Sequence, residues 1–128
     1  FAVLDLSAEF YLETVSRVFQ QHELPAGTMK FRGDAIEPKA IRRIALLTVE
    51  GELDDISGSG QTKAAHKLCS GIPEKDSLHL EAKGAGHYGI FSGRRWREIV
   101  HPVVKEFIAR HHTTQPVRAK KAPRQKTK

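Results

Sequence analysis

Cysteine is almost absent from this 128-residue chain: Cys69 stands alone, so no internal disulfide can form, and a single thiol fits a reducing compartment. No run of about 18 apolar residues occurs, which leaves no candidate for a transmembrane helix. Also missing are a glycine loop closing in Gly-Lys-Ser/Thr to cradle phosphates, a His-Glu-x-x-His pair to hold zinc, and a Gly-x-Ser-x-Gly elbow to raise a serine nucleophile at a strand end. Internal repeats are lacking. The residues therefore offer no metal site, nothing that requires a cofactor, and no nucleophile.

Acidic residues are missing from one end. Thr113 to Lys128 contains Arg118, Lys120, Lys121, Arg124, Lys126 and Lys128 but no Asp or Glu. Taking those six from the 21 basic residues leaves 15, equal to the 15 acidic ones, so the formal charge of +6 belongs to the tail. With its prolines and single aliphatic residue the tail reads as disordered. Lacking interleaved aromatics, it would attract nucleic acid only non-specifically, through phosphates.

What is present is organised around Ile41 to Gly60, IRRIALLTVEGELDDISGSG, where an apolar run stops at glycine and releases Asp54 and Asp55. Ile44 to Val49 reads as a strand covered on both faces, and Ser77 to Glu81 as a second, shorter strand. Between them, Gln61 to Cys69 has the small and apolar residues of a helix that ends near Gly71 and Pro73. Upstream, Ser7 caps a helix expected to His22, followed by a connection from Glu23 to Lys39 with at most a short strand around Met29 to Arg32. Downstream, Trp96, Ile99, Val100, Val103, Val104, Phe107 and Ile108 recur at helical spacing across Arg94 to His111, with Pro102 kinking or dividing the helix. Strand, helix, strand, helix is the order of a parallel α/β arrangement.

Two loops carry chemistry. An Asp-Asp pair in a loop is by itself an ordinary turn. Here it leaves the C-terminal end of a buried strand, where open α/β sheets build ligand sites and where a carboxylate can be rigidly mounted. Asp54 is the first choice for such an acid and Asp55 the fallback. After the second strand comes GAGHYGIF, Gly84 to Phe91, in which glycines flank His87 and leave its imidazole free to move protons near neutral pH. An acid after one strand and a histidine after the next follow the chain order of α/β-hydrolase triads, with the nucleophile missing. Ser57 and Ser59 follow the acid, the wrong order. Cys69 is better read as a small buried side chain. Tyr88 and Phe91 are candidates to line a substrate site, while Trp96 is expected to pack.

The blocks AEFYLETVSRVFQQHELPAGTM, ALLTVEGELDDISGSGQTKAAHKLC and GAGHYGIFSGRRWREIVHPVVKEFI, in this order, resemble the C-terminal region of intracellular poly(3-hydroxybutyrate), or polyhydroxyalkanoate, depolymerases. The resemblance covers residues 2 to 111. It implies the C-terminal part of an α/β-hydrolase fold: 1–40 as a cap-region helix and connection, 41–112 as the last core strands and helices, and 113–128 as a tail outside the resemblance. It implies hydrolysis of ester bonds in the storage polymer, with Asp54 as triad acid and His87 as base. The nucleophile and oxyanion hole would lie upstream in a missing N-terminal part, with no cofactor required. The cap-region aromatics, Phe10, Tyr11, Phe19 and Phe31, could then face the polymer. The expected partners are that missing part and the polymer or granule surface, not a membrane, and the expected location is the cytoplasm at storage granules. Phe1 in place of methionine agrees with a piece of a longer protein, inactive alone. The competing expectation is a non-catalytic granule- or partner-binding module.

Overall fold

A computed structural model describes residues 5–112. The basic tail, 113–128, lies outside the described residues, as do the first four.

Ser7 has extended backbone angles and its hydroxyl accepts the Phe10 N–H at 3.3 Å, which caps helix α1, Ala8–Thr14, with Glu9 in its first turn. The helix continues as a π-helical turn, Val15–Gln20. Its large side chains Phe10, Tyr11, Val18 and Phe19 are all exposed, so this is not a core-facing helix within the chain. One side chain fastens it to the segments after it. Arg17 donates to Glu23 at 2.8 Å, at the start of helix α2, Glu23–Ala26, to Glu13 at 2.7 Å, and to the Lys30 carbonyl at 2.7 Å. Lys30 opens a small antiparallel hairpin, β1 (Lys30–Phe31) and β2 (Asp34–Ala35). Arg32 and Gly33 both have positive φ, 51° and 92°, the primed-turn geometry that matches strand twist. A 3-10 turn, Pro38–Ala40, then leads toward the centre.

The central element is a parallel pair, β3 (Leu46–Gly51) and β4 (Ser77–Ala82), in register from Leu46 opposite Ser77 to Gly51 opposite Ala82. Parallel strands need a crossover, supplied here by turns and helix α3, Ala64–Leu68, shorter than the sequence indicates. Strand β3 also differs from expectation. It starts after Ile44, which is 66% exposed, and it runs through Gly51 rather than stopping before it. Nor is it apolar on both faces. Val49, Leu80 and Ala82 face the core, whereas Thr48, Glu50, Ser77 and His79 alternate with them on the other face, toward His66 of α3.

The C-terminal segment is helix α4, Gly93–Arg95, a π-helical turn, Trp96–Val100, and helix α5, His101–His111. A proline ring inside a helix collides with the carbonyl four residues before it, here Glu98. That carbonyl lies in the widened π turn, so Pro102 is absorbed without ending the helix. Ala82, Ala85, Ile90 and Val100 form the buried core, with Val49, Leu80, Trp96, Ile99 and Val104 packed around it. Helices flanking a parallel strand pair make this an α/β arrangement. Among the described residues no helix is long and apolar enough to cross a membrane.

Candidate active site

Parallel register puts the C-terminal ends of β3 and β4 side by side, and the loops that leave them carry Asp54 and His87. The loops are joined through their main chains. Glu52 N–H donates to the Ala82 carbonyl at 3.2 Å and Leu53 N–H to the Ala85 carbonyl at 2.9 Å. Gly51 permits this approach, because a Cβ there would overlap the Ala85 carbonyl oxygen. Gly84, at φ 65°, makes the turn that brings the histidine loop back, and its N–H donates to the Glu52 carboxylate at 2.8 Å.

Asp54 is then fixed. Its backbone N–H bonds the Gly51 carbonyl at 3.1 Å, and its side chain is only 1% exposed. Oδ1 accepts the N–H groups of Ile56 at 2.9 Å and Ser57 at 2.8 Å. The Ser57 N–H does most to hold this carboxyl below the ordinary aspartate range; with the Ile56 N–H and His87 it outweighs the opposing effect of burial. Asp54 is therefore an ionised acceptor at neutral pH.

His87 begins a 3-10 turn, His87–Ile90, and its Nδ1 lies 3.0 Å from Oδ2 and 3.2 Å from Oδ1 of Asp54. Because the carboxylate can only accept, Nδ1 carries the proton and Nε2 keeps a lone pair. The imidazole is 29% exposed, so that lone pair is accessible while the acid behind it is not. An imidazole backed by a carboxylate in this way is able to accept a proton at its far nitrogen and be held in one orientation. Tyr88 and Phe91 meet the imidazole edge-on, with centroids at 5.5 and 6.0 Å. Both are exposed, as are Leu53 and Ile56, which lie next to the aspartates in sequence.

Asp55, the fallback acid, is exposed, and the carboxylate that meets His87 is that of Asp54. Ser57 contributes a backbone N–H to Asp54, and Ser59 donates its hydroxyl to Glu81. Cys69 is half-buried. Among the described residues no group of three His, Cys, Asp or Glu is placed to hold a metal ion. A cavity of about 280 Å³ lies away from the pair, between α2, the hairpin and α3, lined by Leu24, Pro25, Ile36, Lys67 and Leu68 among others.

No curated protein and no solved structure matches the chain. One protein family does, described as PHB de-polymerase C-terminus, over residues 1–112. That match spans both strands, both loops and the C-terminal helix, and on it the chain belongs to the family of PHB depolymerase C-terminal regions.

Proposed function

We propose that this chain supplies the acid and base of a nucleophile-His-Asp triad that hydrolyses the ester bonds of polyhydroxybutyrate. The observation that carries the proposal is the 3.0 Å contact between His87 Nδ1 and a buried Asp54 carboxylate, at the C-terminal ends of adjacent parallel strands. The fold in which they act is an α/β-hydrolase, of which this chain forms the C-terminal part, and an upstream segment delivers the nucleophile and oxyanion donors.

In the reaction, His87 Nε2 takes the proton from a serine or cysteine as that atom attacks the ester carbonyl. The imidazolium so formed is stabilised by Asp54 and returns the proton to the departing alkoxide. The same nitrogen then activates water to release the acyl-enzyme. The exposed Tyr88 and Phe91 against the imidazole suit an apolar polyester rather than a charged substrate. The setting is the storage granule of the cytoplasm.

Without nucleophile and oxyanion donors the isolated chain should not turn over substrate. The test compares the isolated chain and the full-length protein on short-chain hydroxybutyrate esters. Activity is expected in the full-length protein alone and should disappear in His87→Ala; turnover by the isolated chain, or an active His87→Ala protein, defeats the proposal. A second reading draws on the exposed Phe10, Tyr11, Phe19 and Phe31, which would make the N-terminal part a granule-docking surface. Granule binding that survives replacement of these residues by serine excludes it.

A further inference from the structure

On the face of the sheet turned from the core, five side chains form one hydrogen-bonded chain. His79 Nε2 lies 3.3 Å from Glu50 Oε1. Thr48 Oγ1 lies 2.9 Å from His79 Nδ1 and 2.7 Å from His66 Nε2, and His66 Nδ1 lies 2.6 Å from Ser77 Oγ. Glu50 is the buried end, its side chain 1% exposed. It accepts the Gly60 N–H, and both the N–H and the hydroxyl of Thr62. Burial pushes its carboxyl up, but the bonds from Gly60 and Thr62, with His79, hold it below the ordinary glutamate range.

An ionised carboxylate cannot donate, and with both rings neutral that constraint orients every other bond. His79 must carry its proton on Nε2, so its Nδ1 accepts the Thr48 hydroxyl proton. Thr48 oxygen then accepts the Nε2–H of His66, whose Nδ1 accepts from Ser77. All donors point toward Glu50, and such chains reinforce one another in a low-dielectric interior. The order requires both rings neutral. His66 is pushed down by burial, then by His79 from β4 and Lys63 from its own segment; His79 is faced by Glu50 from β3 and by His66 from α3.

We propose that this oriented chain, acting through Glu50, positions the loop that carries Asp54, so that Glu50 and His79 are positioning residues for the Asp54–His87 pair. The segment 54–62 is held at one end by Asp54, through Ile56 and Ser57, and at the other by Glu50, through Gly60 and Thr62. Two carboxylates leaving the same strand thus clamp one loop between them.

The inference rests on reading Asp54 and His87 as acid and base, but its test follows hydrogen bonds rather than turnover, so the two can fail separately. Ring 15N shifts of the unmodified protein above the histidine titration should show the Nε2–H tautomer for both His66 and His79; an Nδ1–H tautomer at either overturns the order. Thr62→Val removes one donor to Glu50 while sparing the buried carboxylate. It should speed amide exchange at Ile56 and Ser57 by about tenfold and shift the His87 Nδ1 proton resonance. Thr62→Ser should restore both. Unchanged exchange, or a His87 resonance that does not respond, overturns the positioning role.

Discussion

Replacing Asp54 by asparagine probes the proposed acid with a side chain of the same shape. Ile56 and Ser57 both donate to Oδ1, at 2.9 and 2.8 Å, and two N–H donors converging on one atom dictate that the carboxamide oxygen takes that place. The NH₂ group then stands where Oδ2 was, 3.0 Å from His87 Nδ1, and can only donate. His87 must present a lone pair to it, so the ring proton moves to Nε2 and the nitrogen that should act as base is blocked. In triads of this kind a carboxylate-to-amide change lowers kcat by on the order of 10⁴-fold, and that magnitude is expected here for the full-length protein on a hydroxybutyrate ester. The accompanying readout is the 15N shift of the His87 ring, which should pass from Nδ1–H to Nε2–H. Retention of the Nδ1–H tautomer refutes the reasoning about the pair. An unchanged rate despite the tautomer change refutes the assignment of His87 as base.

Asp55→Asn should leave the same rate within about twofold, since an exposed loop carboxylate contributes little; a loss comparable to Asp54→Asn would reverse the choice between neighbours. Gly51→Ala places a methyl group against the Ala85 carbonyl and should destabilise by about 1–3 kcal/mol, measured by urea unfolding, with an unchanged midpoint as the contrary result. Val100→Ala, at a core position 1% exposed, should cost about 2 kcal/mol by the same measurement. Asp54 and Glu50 both have folded values below their unfolded ones, so the stability they contribute is full above about pH 4–5 and is lost as pH falls through the lower folded values. The urea midpoint should therefore decline below about pH 4, less steeply in Asp54→Asn; a flat profile to pH 3 contradicts this.

Much of the candidate site is legible in the sequence because its two halves share a simple pattern, a strand, a glycine turn and a side chain able to handle protons. That pattern places Asp54 and His87 after adjacent strands, and the α/β order comes from the helical stretch between them. The polar relay is not legible while Ile44 to Val49 reads as one apolar block. Its signal is the alternation of Thr48 with Val49 and Glu50, repeated in Ser77, His79 and Glu81, a period of two that marks a sheet with one polar face. The exposure of Phe10 and Phe19 is equally hidden, since apolar spacing shows that a helix has a face but not what covers it.

The Leu53 N–H to Ala85 carbonyl bond bears on how such a site can diversify. Because that bond is made by main-chain atoms, the side chain of Leu53 can be exchanged without breaking it. Under the proposed function, mutation at position 53 can thus alter the surface beside Asp54 while the main-chain link between the two loops stays intact. Randomising position 53 in the full-length protein is therefore expected to leave a high fraction of active variants.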